Sequence, residues 1–199
     1  MQRVDYYFST ISPYTYLAGP RFAALAARHE LDVMWKPVDI VALYGRTGGT
    51  LPGERHPSRQ AYRLADLARQ AKRHRLAINV EPAFFPTNPA PASYAIIAAQ
   101  RAGGGDMFAL VQGILTACWA ADENIAEDSV IKAALEAAGF DPALADSGLF
   151  EGAETYGRNL EEAVQAGVFG APSWVAQDGA LFWGQDRLDD LDVHLSAAT

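Results

Sequence analysis

The sequence predicts an α/β fold. A βαβ unit and a ββα unit share one sheet, and a large all-helical insertion separates them. Three observations predict it. Residues 1–42 run strand-like, helix-like and strand-like again. Residues 43–165 are dominated by helical spacing of apolar positions. Residues 166–199 return to two short strand-like runs and a last helix. A βαβ and a ββα unit on a common sheet make a thioredoxin-like core, with the parallel pair contributed by the first unit and an antiparallel hairpin by the second. The expected division is 1–42 with 166–199 as the thioredoxin-like domain and 43–165 as the helical insertion domain.

Each element has a local reason. Val4-Asp5-Tyr6-Tyr7-Phe8 is aromatic and β-branched, and reads as a strand. Ser12-Pro13 starts a helix, because serine caps well and proline fits the first helical position. That helix runs from Tyr14 to His29 with Leu17, Phe22, Leu25 and Ala26 at helical spacing. Leu31 to Val41 reads as a second strand, and the glycine- and proline-rich Tyr44 to Pro57 as loop. Ser58 to Arg75 is a helix. Pro82 to Pro91 contains four prolines and is irregular. Helices follow over Ala92–Ala102, Asp106–Ala121, Asp128–Ala138 and about Leu160–Ala166. Ser173–Ala176 and Ala180–Trp183 are strands around a Gln177-Asp178-Gly179 turn, and Arg187–Ala197 is the final helix.

Composition excludes several classes. The chain has 199 residues, 50% hydrophobic and 20% charged, so it is neither disordered nor short of core. No apolar run approaches the roughly 20 residues of a membrane span. The N-terminus enters strand-like sequence without a signal-peptide pattern, which predicts a cytoplasmic protein. A net charge of -8 argues against nucleic-acid binding. Within this acidic chain, Arg55 to Arg75 carries seven Lys and Arg residues against one acid, Asp66. Two readings stand for it: a solvated helix face, which the i, i+4 spacing suits, or a wall for a small anion. The single cysteine, Cys118, rules out an internal disulfide, a CxxC pair and a cysteine zinc cage, and reads as a small buried apolar residue. Metal is not expected.

Three stretches could carry chemistry. Ser12-Pro13-Tyr14-Thr15 occupies the place where thioredoxin-like redox enzymes keep Cys-Pro-x-Cys. Hydroxyls replace both sulfurs, which removes thiol–disulfide exchange. What remains is a helix N-terminus able to stabilise an anion, such as a thiolate brought by a ligand; alternatively Ser12 only caps its helix. Ala171-Pro172 at the mouth of a strand is either an ordinary trans proline or a cis one. A cis bond would turn the Ala171 backbone outward to pair with an extended peptide-like ligand. Asp186, in Trp183-Gly184-Gln185-Asp186-Arg187, is either the cap of the last helix or a partner for an ammonium. In the second case Gln185 and the helix N-terminus would take a carboxylate. None of His29, His56, His74 and His194 has an evident triad partner.

Together, Tyr7-Phe8-Ser9-Thr10-Ile11-Ser12-Pro13-Tyr14-Thr15-Tyr16-Leu17-Ala18, Gly167-Val168-Phe169-Gly170-Ala171-Pro172-Ser173 and Phe182-Trp183-Gly184-Gln185-Asp186-Arg187-Leu188 resemble the 2-hydroxychromene-2-carboxylate isomerase family. That family lies in the kappa-class glutathione transferase group of the DsbA-like thioredoxin superfamily. The resemblance implies a glutathione cofactor with its thiolate at Ser12 and its cysteinyl backbone on Ala171 before a cis Pro172. Its γ-glutamyl end would lie at Trp183, Gly184, Gln185, Asp186 and Arg187. It implies a catalytic Ser12, here preferred as hydrogen-bond donor to the thiolate over serine nucleophile. It also implies a small aromatic carboxylate substrate contacted by Arg46 and Asn88, with Tyr14, Trp35, Tyr44, Phe84 and Phe85 as candidate walls, and a homodimer. Gly49 stands where many relatives carry Asn. The implied reaction interconverts 2-hydroxychromene-2-carboxylate and trans-o-hydroxybenzylidenepyruvate by reversible thiolate conjugate addition. The alternatives are a kappa-like transferase and a non-catalytic thioredoxin-like binding module.

Overall fold

The computed structural model describes residues 1–197. Along the chain the elements are β1 (Arg3–Phe8), α1 (Pro13–Arg28), β2 (Asp32–Pro37), α2 (Ile40–Thr47), a 3-10 turn (Pro52–Glu54), α3 (Pro57–His74), α4 (Ala90–Ala102), α5 (Met107–Trp119), α6 (Asp128–Ala137), α7 (Leu144–Ser147), α8 (Leu149–Gln165), β3 (Ser173–Ala176), β4 (Leu181–Trp183) and α9 (Leu188–Ala197). Among the described residues the strands form one four-stranded sheet in the order β2-β1-β3-β4. The β1–β2 pair is parallel; β1–β3 and β3–β4 are antiparallel. This is the thioredoxin-like βαβ and ββα arrangement, with α2 to α8 between the two units.

Aromatic packing holds the centre. Tyr6 on β1 faces Trp35 on β2 and Trp174 on β3. Its ring stacks on Trp174 at 5.5 Å and 2°, and meets Phe22 of α1 at 4.7 Å. The Trp35 ring turns its edge to Tyr6 and to Phe108 of α5. One apolar cluster therefore joins the sheet to α1 and to the insertion helices. The opposite face of the sheet is covered by a smaller cluster, Tyr7, Val38, Leu43, Ala163 and Val168.

Helix α1 is tied to α5 in an unusual way. Pro20 lies inside α1 and has no amide for the Tyr16 carbonyl. Gln112 of α5 reaches across with its Nε2 at 3.5 Å from that carbonyl. It crosses at Gly19, where any Cβ would collide with the Gln112 side chain.

Two stretches differ from expectation. The strand expected over Leu31–Val41 stops at Pro37. The Val38 amide still donates to the Phe8 carbonyl at 2.8 Å, and the Asp39 carboxylate then accepts from the amides of Val41 and Ala42. That cap starts α2, which ends at Gly48 in the left-handed region (φ 80°), so Tyr44–Thr47 is helix and not loop. The expected boundary at residue 43 falls inside α2. Helix α8 begins at Leu149, well before Leu160. Its buried stripe is Gly152, Tyr156, Asn159 and Ala163, mostly small or polar residues. Gly152 lies against the Cα and Cβ of Tyr94, so the glycine is what lets α8 approach α4.

Phe22 is 1% exposed at the junction of sheet, α1 and α5. Phe22→Ala is expected to lower stability by about 3–5 kcal/mol, read as a fall in the denaturant midpoint at unchanged m-value.

Candidate functional site

The register of β1 on β3 pairs Tyr7 with Ser173. It therefore brings the residues after β1 beside those before β3. Ser12 caps α1, with its Oγ accepting from the Thr15 amide at 3.2 Å, while its hydroxyl donates to the Ala171 carbonyl at 3.4 Å. The Tyr14 amide, next in the first turn, has no acceptor among the described residues. The capping role and the anion-site geometry of Ser12 thus coexist. Ala171–Pro172 is cis. The Pro172 carbonyl accepts from the Gly184 amide at 2.9 Å, which ties the β4–α9 loop to the proline. Gly184 takes φ 107°, a conformation open to glycine. Trp183 lies against Gly170 and meets the Phe169 ring at 4.6 Å. Ser12, Ala171, Pro172 and Trp183 to Arg187 are therefore gathered in one place.

Two hollows meet there. One, of ≈480 Å³, is largely apolar and is lined by Ser12, Tyr14, Tyr44, Arg55, Arg63 and Phe85 among others. The second, of ≈530 Å³, is more polar, its lining about half polar, and takes in Asp66, Gln70 and the run Trp183 to Arg187. They share Tyr14, Arg55 and Ala171, so one cleft runs from Arg187 to the apolar end. Asp186 does not cap α9, which begins at Leu188; its carboxylate pairs with Arg187 at 3.1 Å. Arg187 also reaches Asp190 at 3.2 Å.

The expected substrate contacts lie elsewhere. Arg46 is exposed and forked onto Glu161 at 2.6 and 3.1 Å. It points away because α2, not a loop, carries it. Asn88 turns inward on its own chain, its Oδ1 accepting from the Ala90 amide at the start of α4. Neither lines the cleft. Trp35 belongs to the core, and Phe84 is outside the apolar hollow while Phe85 is in its wall.

The cations that do line it are Arg55 and Arg63. Arg55 is anchored by its Nε on the Thr50 carbonyl at 3.0 Å. The Arg63 guanidinium lies over the Phe85 ring, 5.9 Å from its centroid, and burial lowers its pKa. Both belong to the basic run from Arg55 to Arg75. Tyr14 donates to Asp66 at 3.2 Å, and burial together with that carboxylate pushes its phenol up to about 12. The Tyr44 ring sits where a Cβ on Gly49 would be, so the missing side chain at 49 is filled by Tyr44. Cys118 is buried, and burial pushes its thiol up to about 12. Among the described residues no group of three or more His, Cys, Asp and Glu could hold a metal ion, and no helix is long and apolar enough to cross a membrane.

A family model described as the DSBA-like thioredoxin domain matches residues 3–196. The 2-hydroxychromene-2-carboxylate isomerase of Sphingobium xenophagum is 30% identical, over 96% of this chain and 97% of that relative. The chain belongs to this isomerase family. Within the family's wider branch, Glutathione S-transferase kappa 1 of Caenorhabditis elegans is 26% identical over 94% of this chain and 88% of its own. A solved 2-hydroxychromene-2-carboxylate isomerase shares the fold, with TM-score 0.81, 24% identity and coverage of 98% and 95%. The protein is an enzyme of a family whose curated members are named isomerases.

Ser12→Ala removes the α1 cap and is expected to lower stability by about 1 kcal/mol in denaturant melts, whereas Ser12→Thr, which can still cap, retains most of it.

Proposed function

We propose that this isomerase-family enzyme uses glutathione to interconvert 2-hydroxychromene-2-carboxylate and trans-o-hydroxybenzylidenepyruvate, or a related aromatic enone acid. The observation that carries the proposal is Ser12: a hydroxyl at a helix N-terminus, 3.4 Å from the Ala171 carbonyl, at the edge of an apolar hollow with two arginines. The residues present fit glutathione. The polar half of the cleft offers Gln185 and Arg187 beside the carboxylates of Asp66 and Asp186, suited to a zwitterionic amino-acid end. The free Tyr14 amide and the Ser12 hydroxyl suit a sulfur anion.

When bound, glutathione supplies a thiolate that adds to the conjugated C=C, leaves it single and free to rotate, and departs unchanged. The chain's own residues do the rest. Ser12 turns its proton from the Ala171 carbonyl to the sulfur and keeps it throughout. No histidine lines this hollow to accept it, so a serine nucleophile is not required. The N-terminus of α1 adds its partial positive charge, and together they lower the thiol pKa. Arg55 and Arg63 hold the substrate carboxylate and offset the negative charge that builds on its keto oxygen. Tyr44, Phe85 and Ile11 exclude water from the ring. We infer a cytoplasmic homodimer as part of the same reading. The kappa-class relative favours a second reading, a transferase that releases the conjugated product through the same cleft.

Turnover of the chromene carboxylate should require glutathione, and product should exceed the glutathione supplied many-fold. One product per glutathione consumed selects the transferase, and glutathione-independent turnover removes both readings. In Ser12→Ala the alkaline-going rise in rate should move to higher pH, since the thiol loses a donor that favours its anion. Arg63→Met should raise KM by about tenfold with a smaller change in kcat, the mark of lost substrate binding.

A further inference from the structure

The geometry points to Arg21 as the positioning residue of the cleft's carboxylate end: it fixes the Gln185 amide so that its NH2 faces the ligand. This rests on the glutathione reading above. Arg21 is on α1, outside the three stretches that build the site. Its Nη2 donates to the Gln185 backbone carbonyl at 2.7 Å and, closely, to the Gln185 side-chain Oε1. Its Nε is buried without a partner, so the guanidinium is held there at some desolvation cost.

A guanidinium has donors only. The side-chain amide of Gln185 can therefore turn nothing but its oxygen toward Arg21, and the flipped form would set NH2 against NH2. Gln185 is 5% exposed, and it lines the polar hollow between Gly184 and Asp186. Its Nε2 meets no acceptor among the described residues and is not sealed from solvent. The outcome is a donor pair pre-aimed into the cleft by a residue that does not line it. Arg73 of α3 is close enough to act electrostatically on Arg21, adding positive potential, while Asp186 and Asp189 oppose it. A ligand carboxylate at this end meets an oriented amide; a neutral group there gains nothing from that orientation.

The test uses two ligands on the intact protein by titration calorimetry. One is glutathione. The other is 4-aminobutanoyl-Cys-Gly, which lacks only the α-carboxylate of the γ-glutamyl residue. Wild type should prefer glutathione by about tenfold or more. In Arg21→Met the preference should shrink to about twofold, with affinity for the analogue nearly unchanged. Gln185→Glu keeps the Arg21 contact but presents no donor, and it should lose the preference too; it serves if Arg21→Met fails to fold. A preference that survives in either folded variant, or an equal loss for both ligands in Arg21→Met, overturns the positioning role while leaving the glutathione reading in place. Absence of glutathione binding to wild type at millimolar ligand overturns both.

Discussion

The antiparallel register of β1 on β3 is the constraint on which the site depends. Tyr6 opposite Trp174 places both rings in the core, and Tyr7 opposite Ser173 follows. Side chains alternate across a sheet, so a slip of one residue would send Tyr6 and Trp174 to the thinly covered face. That penalty fixes where both strands end. Ser12 and Ala171 lie 159 residues apart in sequence. They meet because each is a few residues beyond a strand end that the core has already set. The aromatic core and the cleft are thus one decision of packing, and the Ser12–Ala171 hydrogen bond is its readout.

The remaining positioning is done by backbone. Gly184 can take φ 107° and donate to Pro172, so the β4–α9 loop is anchored to the same proline as Ser12's partner. Pro20 and Gln112 hold α1 against α5 on the far side. Helix α1 is then held at its N-terminus, which lies in the cleft, and at its middle, where Arg21 reaches the β4–α9 loop. An N-terminus held this way pre-organises its dipole and free amide, and needs no reorganisation when an anion arrives.

Much of this was legible in the sequence, for reasons of locality. Ser12-Pro13, Asp106 and the Gly103 to Gly105 stop are contiguous signals, and the strands at either end of the chain are short aromatic runs. The order of elements then gives the sheet. What was not legible depends on small residues or on folding back. The start of α8 is hidden because its buried stripe is built from Gly152, Asn159 and Ala163 around one Tyr156, too little apolar volume to register as a helical face. Helix α2 is hidden behind Pro37, where a continuing apolar run looks like more strand until Asp39 is recognised as a cap. The arginines of the cleft are hidden by tertiary placement. Arg46 and Arg55 are nine positions apart on either side of a turn, and only the return of the chain toward α3 decides that the second reaches the cleft while the first meets Glu161.

That return also accounts for the one acid in the basic run. Asp66 lies on the cleft side of α3 and accepts from Tyr14, one of the three residues common to both hollows. Tyr14 stands between the more polar end of the cleft and its apolar end. A phenolate there would put a third charge beside Arg55 and Arg63 and cancel the attraction they offer to a carboxylate. Burial and the Asp66 carboxylate both hold the phenol neutral, up to about 12. The neutral phenol therefore adds no charge beside the arginines, and Asp66, which also lies 3.6 Å from Arg69, accepts its hydrogen bond. Net charge of the chain is a poor guide to such a site, because the relevant balance is struck within one cleft, among Tyr14, Glu54, Arg55, Arg63 and Asp66 with Asp186 and Arg187 at its other end.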